Sequence, residues 1–318
     1  MPVRALLRLV LVKDIPEPYN QIQLKIFYPA EPASTDAHYR TGILPFDPTF
    51  APAPMMIFLP GVNCSPHTYE WLAIKLAGVG IVTLIAAWLG ENLPGRLSIT
   101  PGINIQALSQ DHYGSQPTSS SLPAIMDYLS VLKEDPVFED NLDTDTVILA
   151  GHSAGGTMAL QNAKHSFFPQ VKASVSYCAN PLATMTLAGW PKNTMPPLPQ
   201  DCPTLMLGAT LDGIGDHHTR SFGDSEESGA DFIKRLFQAH SAPNSVLCIF
   251  NGANHHTICY PADHTIGRIF MDTPTQADEE AIRNELANLI IDFIKNIGHD
   301  KSNHNLQAQP SAAYWQLA

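Results

Sequence analysis

The sequence predicts an α/β fold with a mostly parallel central sheet, helices on both faces and antiparallel strands at the N-terminus. Three observations point there. Residues 55–59 and 147–150 are short continuous apolar runs, and 81–86 is apolar apart from Thr83, as expected of strands buried on both faces. Helical patterns separate such runs, and strand–helix–strand order favours right-handed parallel crossovers. Residues 21–28 alternate polar and apolar side chains, the period of a half-buried strand, and follow the apolar run 1–12 closely enough to pair with it antiparallel.

Taken in order, residues 1–12 read as a first strand. Arg4 and Arg8 interrupt the run and no small-residue cleavage site follows, so a secretory leader is not expected and the protein is placed in the cytoplasm. Residues 29–54, rich in Pro, Ala and Asp, form a surface connection. Strand 55–59 ends in Pro60-Gly61-Val62-Asn63; Ser65 fits an N-cap with Pro66 after it, and Trp71, Leu72, Ile74 and Leu76 mark a helix stopped by Gly78 and Gly80. After strand 81–86, residues 87–116 show no period and predict a long loop. A helix over 121–133 carries Ile125, Met126, Leu129 and Leu132 on one face, and Pro136 opens an acidic turn over 135–145. Strand 147–150 and a helix from Thr157 follow, then strand 171–177, a Pro/Gly-rich loop over 180–200, strand 204–208 and a polar stretch 213–229. A helix through Phe232, Ile233, Leu236 and Phe237 leads to a last strand, 246–250. The longest helix, 277–297, places Ile282, Leu286, Leu289, Ile290 and Phe293 on one stripe, with Gly298 as its stop. Residues 1–298 thus form one domain with 87–116 and 180–200 as candidate lid or pocket loops. The tail, 299–318, is expected to be poorly ordered unless Tyr314 and Trp315 dock.

A formal net charge of −12 over 318 residues argues against a nucleic-acid groove or an anionic membrane surface as partner. No run of 18 apolar residues predicts a membrane span. The five cysteines, Cys64, Cys178, Cys202, Cys248 and Cys259, are scattered without a C-x-x-C pair, which suits reduced buried thiols better than disulfides or zinc. Oligomeric state is not legible.

The chemistry centres on Gly151-His152-Ser153-Ala154-Gly155, where a strand meets a helix and puts Ser153 on a sharp turn. Ligands in such folds sit at the carboxyl ends of strands, where Gly61, Val62, Ser153, Asp212 and His255 are predicted to lie. A serine hydroxyl needs a neighbouring base, for which imidazole is suited, and a carboxylate to orient that imidazole. Asp212 is preferred to Asp216 because it lies closer to its strand end; of His255 and His256, at most one is the base. The N–H groups of Val62 and Ala154 are the natural pair to hold a developing oxyanion. Asp216 with His217 and His218 could suggest a metal site, but adjacent histidines on a polar loop are more often solvent-facing, and no metal is expected. Cys64 reads as a packed thiol, because nothing near it in sequence would lower its pKa. Trp88 and Tyr113 in the first long loop are packing residues or pocket wall.

These motifs, with Gly208-Ala209-Thr210-Leu211-Asp212 and Gly252-Ala253-Asn254-His255, resemble the set found in the dienelactone-hydrolase, chlorophyllase and cutinase-type polyester hydrolase branch of the α/β-hydrolase superfamily, over roughly residues 55–297. The resemblance implies the α/β-hydrolase fold and cleavage of a small-molecule carboxylic ester through an acyl-enzyme, with no cofactor. Its spacing favours His255 over His256 as base, and it implies a wall from the loop after the Tyr177 strand, with Tyr177 to Pro181 as substrate contacts. Gly61, Asn63, His152 and Trp88 are further candidates for substrate contact. The polyester hydrolases carry an aromatic residue where this chain has Val62, are secreted, and have a shorter segment in place of 87–116. The alternatives are a thioesterase or acyltransferase using the same triad, or a non-catalytic binding protein of the same fold.

Overall fold

The computed structural model describes residues 2–93, 95–239, 242–265, 267–297 and 306–318. In chain order it contains β1 (Val3–Leu11), β2 (Gln21–Pro29), α1 (Asp36–Thr41), β3 (Ala53–Leu59), α2 (Glu70–Ala77), β4 (Val82–Leu93), β5 (Arg96–Ile99), α3 (Ser121–Lys133), β6 (Leu142–His152), α4 (Ala154–Asn162), β7 (Val171–Tyr177), α5 (Leu182–Leu187), β8 (Thr204–Leu211), α6 (Gly213–Gly223), α7 (Gly229–Ala239), β9 (Val246–Asn254), α8 (Glu279–Lys295) and β10 (Ala312–Leu317). The sheet runs β1-β2-β4-β3-β6-β7-β8-β9-β10, with β5 attached to β4. β3, β4 and β6 to β9 are mutually parallel; β1, β2, β5 and β10 pair antiparallel.

Alternation along the central strands explains why both faces are covered. Met56, Phe58, Ile148 and Ala150 face α2 and α8, whereas Met55, Ile57, Val147 and Leu149 face α3 and α4. Further along, Met206, Leu247 and Ile249 turn toward α7. No helix among the described residues is long and apolar enough to cross a membrane.

Five expectations need correction, the first being that residues 180–200, expected as a loop, contain helix α5 at Leu182–Leu187. β4 continues through Leu93 and pairs antiparallel with β5, Arg96–Ile99, where a loop was expected. Gly90, Pro94 and Gly95 mask the strand signal, and Gly95 supplies a turn residue at φ 71°. The polar stretch after Asp212 is helix α6, capped by the Asp212 side chain, which accepts from Gly215 N at 2.7 Å. β6 begins at Leu142, inside the expected acidic turn. The last strand is not β9 but β10: Trp315 pairs with Cys248 and packs on the α8 side of the core, while Tyr314 packs on the α7 side. The docking condition on those rings is therefore met. Gly298, the expected helix stop, lies outside the described residues.

The crossing of β6 and α4 is the tightest point of the fold. A Cβ on Gly155 would sit 2.0 Å from the Leu59 carbonyl oxygen, and one on Gly151 would sit 2.3 Å from the Gly155 carbonyl carbon. Both obstacles are backbone and cannot rotate away. Gly155→Ala is expected to lose more than about 3 kcal/mol of stability or fail to fold, measured by urea unfolding. Gly189→Ala, at φ 88° with nothing within 4 Å of the added atom, should lose only about 1 kcal/mol. Equal losses would contradict the packing account.

Candidate functional site

Ser153 stands between β6 and α4 at φ 55°, ψ −121°, a strained conformation for a residue with a side chain. The strain is held by Ser153 N–H donating to Tyr177 O at 2.9 Å and by the glycine crossing beneath it. Ser153, Val62, Ala154 and His255 all border one cavity of about 140 Å³. The N–H groups of Val62 and Ala154 have no hydrogen-bond acceptor among the described residues. Ala154 is the first residue of α4, whose leading N–H groups have no intrahelical partner.

Asp212 and His255 meet at the ends of β8 and β9, with His255 Nδ1 2.8 Å from Asp212 Oδ1. Their side chains are 2% and 3% exposed respectively. Burial would raise the Asp212 pKa, but the His255 imidazole, Gly215 N–H and the Cys178 thiol outweigh it and hold the carboxyl below its usual range. An ionised Asp212 fixes the proton on His255 Nδ1, leaving Nε2 as the acceptor. Asp216 is engaged elsewhere, accepting from Gly229 N at 2.7 Å.

His152 ties the pieces together from below. Its Nε2–H donates to His255 O at 3.0 Å, so its Nδ1 accepts the Tyr69 hydroxyl at 2.8 Å, and Tyr69 O in turn accepts Gly61 N–H at 3.3 Å. Burial, reinforced by His255 and His256, lowers the His152 pKa and keeps it neutral. His152, Gly61 and Tyr177 thus lie behind the site rather than in the cavity wall; the Tyr177 hydroxyl donates to Asn254 O at 2.7 Å. Asn63 pins β5: its N–H donates to Ile99 O at 3.0 Å and its Oδ1 accepts Ile99 N–H at 3.2 Å. Trp88 donates to Tyr19 O at 2.7 Å and borders a separate groove, and Pro181 caps the start of α5 outside the cavity lining.

Apart from Asn180, which lies in the stretch from Tyr177 to Pro181 expected to contact substrate, the walls come from residues that sequence reasoning did not single out. Ile103 and Ile105 belong to the segment after β5; Asn180 precedes α5, and Ala183, Thr184 and Leu187 project from α5 itself. The two segments brace each other. Trp190 Nε1 donates to Leu108 O at 2.7 Å, Gln110 Nε2 to Gly189 O at 3.0 Å and the Tyr113 hydroxyl to Pro197 O at 3.0 Å. Tyr113 therefore holds the wall and is not part of it. Ile214 and His218 enter from α6, and Arg268 also lines the cavity, donating to His218 Nε2 at 3.1 Å. His218 thus faces the cavity rather than solvent, and burial, with the nearby His255 and Arg268, pushes its pKa down to about 3.

Two sets of possible metal ligands converge to within 4.8 Å: Cys64, His152 and Cys259, and Cys178, Asp212 and His255. In the first set both His152 nitrogens are engaged as described, and in the second His255 Nδ1 and Asp212 are engaged with each other. Asp216, His217 and His218 form no such set among the described residues.

Beside the first dyad stands a second that the sequence did not reveal. His256 Nδ1 lies 2.9 Å from Asp272 Oδ2, and Asp272 Oδ1 also accepts from Gly213 N at 3.1 Å. Burial alone would lower the His256 pKa, but Asp272 and Cys64 raise it to about 9. Cys64 also departs from the sequence reading. Its thiol is pulled well below the usual range by the Cys259 thiol and, against the effect of burial, by His152 and His256, all remote in sequence.

Because the folded value for His256, about 9, lies above the ordinary 6.5, charging it stabilises the fold fully below pH 6.5, and that contribution is lost as pH rises through 9. The thermal midpoint should therefore fall between about pH 6 and 10, by a stability change on the order of 3 kcal/mol. Asp272→Asn should flatten the profile; an unchanged slope in that variant would contradict the assignment.

No family model matches the sequence, and no curated protein matches it. A solved structure does: a ferulic acid esterase from Streptomyces cinnamoneus, with a TM-score of 0.56 at 14% identity, covering 95% of this chain and 94% of that one. Together with the mixed, mostly parallel sheet, this likeness shows that the chain has an α/β-hydrolase fold.

Proposed function

We propose that the protein hydrolyses carboxylic esters of small molecules through an acyl-enzyme intermediate, with Ser153 as nucleophile, His255 as general base and acid, and Asp212 as the carboxylate that orients His255. The observation that carries this reading is the cavity that brings together the strained Ser153, the outer edge of an imidazole whose Nδ1 is held by a buried carboxylate, and two unpartnered N–H groups.

Each step follows from that arrangement. Substrate carbonyl carbon approaches Ser153 Oγ while its oxygen turns toward Val62 and Ala154 N–H. His255 Nε2 takes the hydroxyl proton as the C–O bond forms, and the imidazolium is stabilised by Asp212. Ser153 Oγ has no hydrogen bond among the described residues; such bonds often tighten only when substrate is bound. Collapse of the tetrahedral species expels the alcohol, which receives the proton from His255. Water then repeats the sequence on the acyl-enzyme. Largely apolar walls from Ile103, Ile105, Leu187 and Ile214 suit an apolar acyl or alcohol group and keep the local dielectric low, which strengthens the two N–H contacts. The ferulic acid esterase of the same fold is consistent with an ester substrate.

Ser153→Ala should lower turnover of a chromogenic short-chain ester by about 10⁴-fold or more. Asp212→Asn should lower it by about 10³- to 10⁴-fold through loss of the required tautomer. His255→Asn should fall to the level of Ser153→Ala. Retained turnover in Ser153→Ala would sink the proposal, and a larger loss in His256→Asn than in His255→Asn would move the base to the second dyad.

A further inference from the structure

Two histidine–carboxylate pairs stand side by side, and the ester mechanism uses one. The other, His256 with Asp272, faces Cys64. A Cβ on Gly267 would lie 3.8 Å from His256 Nε2 and 3.9 Å from Cys64 Sγ, so both atoms flank the same point. The sulfurs of Cys64 and Cys259 come within 4.8 Å of each other. Both cysteines and His256 line a small cleft beside the serine cavity, and Cys64 borders the cavity as well. The remaining cysteines are differently placed. Burial drives Cys202 and Cys248 up to about 12, and burial beside Asp212 raises Cys178 well above its usual range.

We propose that Cys64 and Cys259 are a redox-active dithiol, a modification site for hydroperoxides whose closure to a disulfide switches off the adjoining serine site. The thiol chemistry stands on its own; its consequence for Ser153 rests on the ester-hydrolase reading.

The chemistry balances with the hydroperoxide as sole oxidant. The Cys64 thiolate, stabilised by the His256 imidazolium and by the Cys259 thiol, attacks one peroxide oxygen. An S–O bond forms, the O–O bond breaks, and the leaving hydroxide or alkoxide takes a proton from His256. Cys259, giving up its proton, attacks the sulfenic sulfur; the S–S bond forms and the S–O bond breaks, with departure of water. Two thiols and one hydroperoxide give one disulfide, one water and a second water or an alcohol. Closing the gap from as much as 4.8 Å to about 2.05 Å draws in the turn that carries Val62, two residues before Cys64. It also disturbs the packing of Cys64 against His152, directly before Ser153; both thiol and imidazole lie 3.0 Å from where a Cβ on Gly61 would be.

The test treats the purified full chain with hydrogen peroxide, blocks remaining thiols, and reads two signals: non-reduced peptide mass mapping, and the rate of Ser153 labelling by a fluorophosphonate. A loss of about 2 Da mapped to a Cys64–Cys259 cross-link is expected, with labelling slowed at least about 10-fold and restored by dithiothreitol. Cys259→Ser should instead trap Cys64 as a sulfenic acid, a gain of about 16 Da captured by dimedone. His256→Asn should slow thiol oxidation about 10-fold, referenced to its own untreated sample. Both thiols remaining free, or a cross-link joining another pair, would overturn the site. A mapped cross-link with undiminished labelling would overturn the switch. Absence of labelling before any peroxide would count against the ester-hydrolase reading instead, while the mass map still decides the thiol chemistry.

Discussion

A buried carboxylate is the condition on which this end of the sheet is built. Stripped of water, an unmatched Asp212 would cost several kcal/mol, so the chain must bring donors to it. It does so from three directions: His255 from the end of β9, Gly215 N–H from the first turn of α6, and the Cys178 thiol from the loop after β7. The same contacts that satisfy the charge fix the imidazole tautomer. Asp272 repeats the device one step away, accepting from Gly213 N and His256 and so locking the β8 and β9 loops together. The hydrogen bonds that hold this end of the fold are therefore the ones the proposed chemistry would use.

What was legible in the sequence follows from how local each signal is. Buried parallel strands announce themselves as apolar runs, and α3 matched its expected bounds because a clean apolar stripe ends before Pro136. Asp212 and His255 were legible because both follow strands directly, and the structure brings them to 2.8 Å. Less local features were hidden. The β4–β5 pair is interrupted by glycines, and β10 gains its partner only after the chain has crossed the whole of α8. Asp272 sits in a loop with no periodic signal, and its meaning comes from the backbone groups folded around it. The acidity of Cys64 depends on Cys259, His152 and His256, each far away in the chain.

The two long loops show the same division of labour. Neither has a pattern that names its role, yet three hydrogen bonds between them turn the segment after β5 and the segment that includes α5 into one wall. The scaffold fixes where bond cleavage would occur, and the braced loops with α6 set what fits above it. Trp88, Tyr177 and Pro181, conspicuous in sequence, hold that frame from outside the cavity, whereas the less conspicuous Ile103, Ala183 and Leu187 line it.

In the proposed chemistry Ser153 is a nucleophile made reactive by His255 held on buried Asp212. The most direct measurement is stopped-flow release of chromophore from an activated ester, with the protein quenched in acid during the transient and its peptides mass-mapped. The account predicts a burst approaching one equivalent per chain and an acyl group on the peptide containing Ser153. A burst whose acyl group maps to Cys64 or elsewhere, or release of chromophore with Ser153 unmodified throughout, would contradict it.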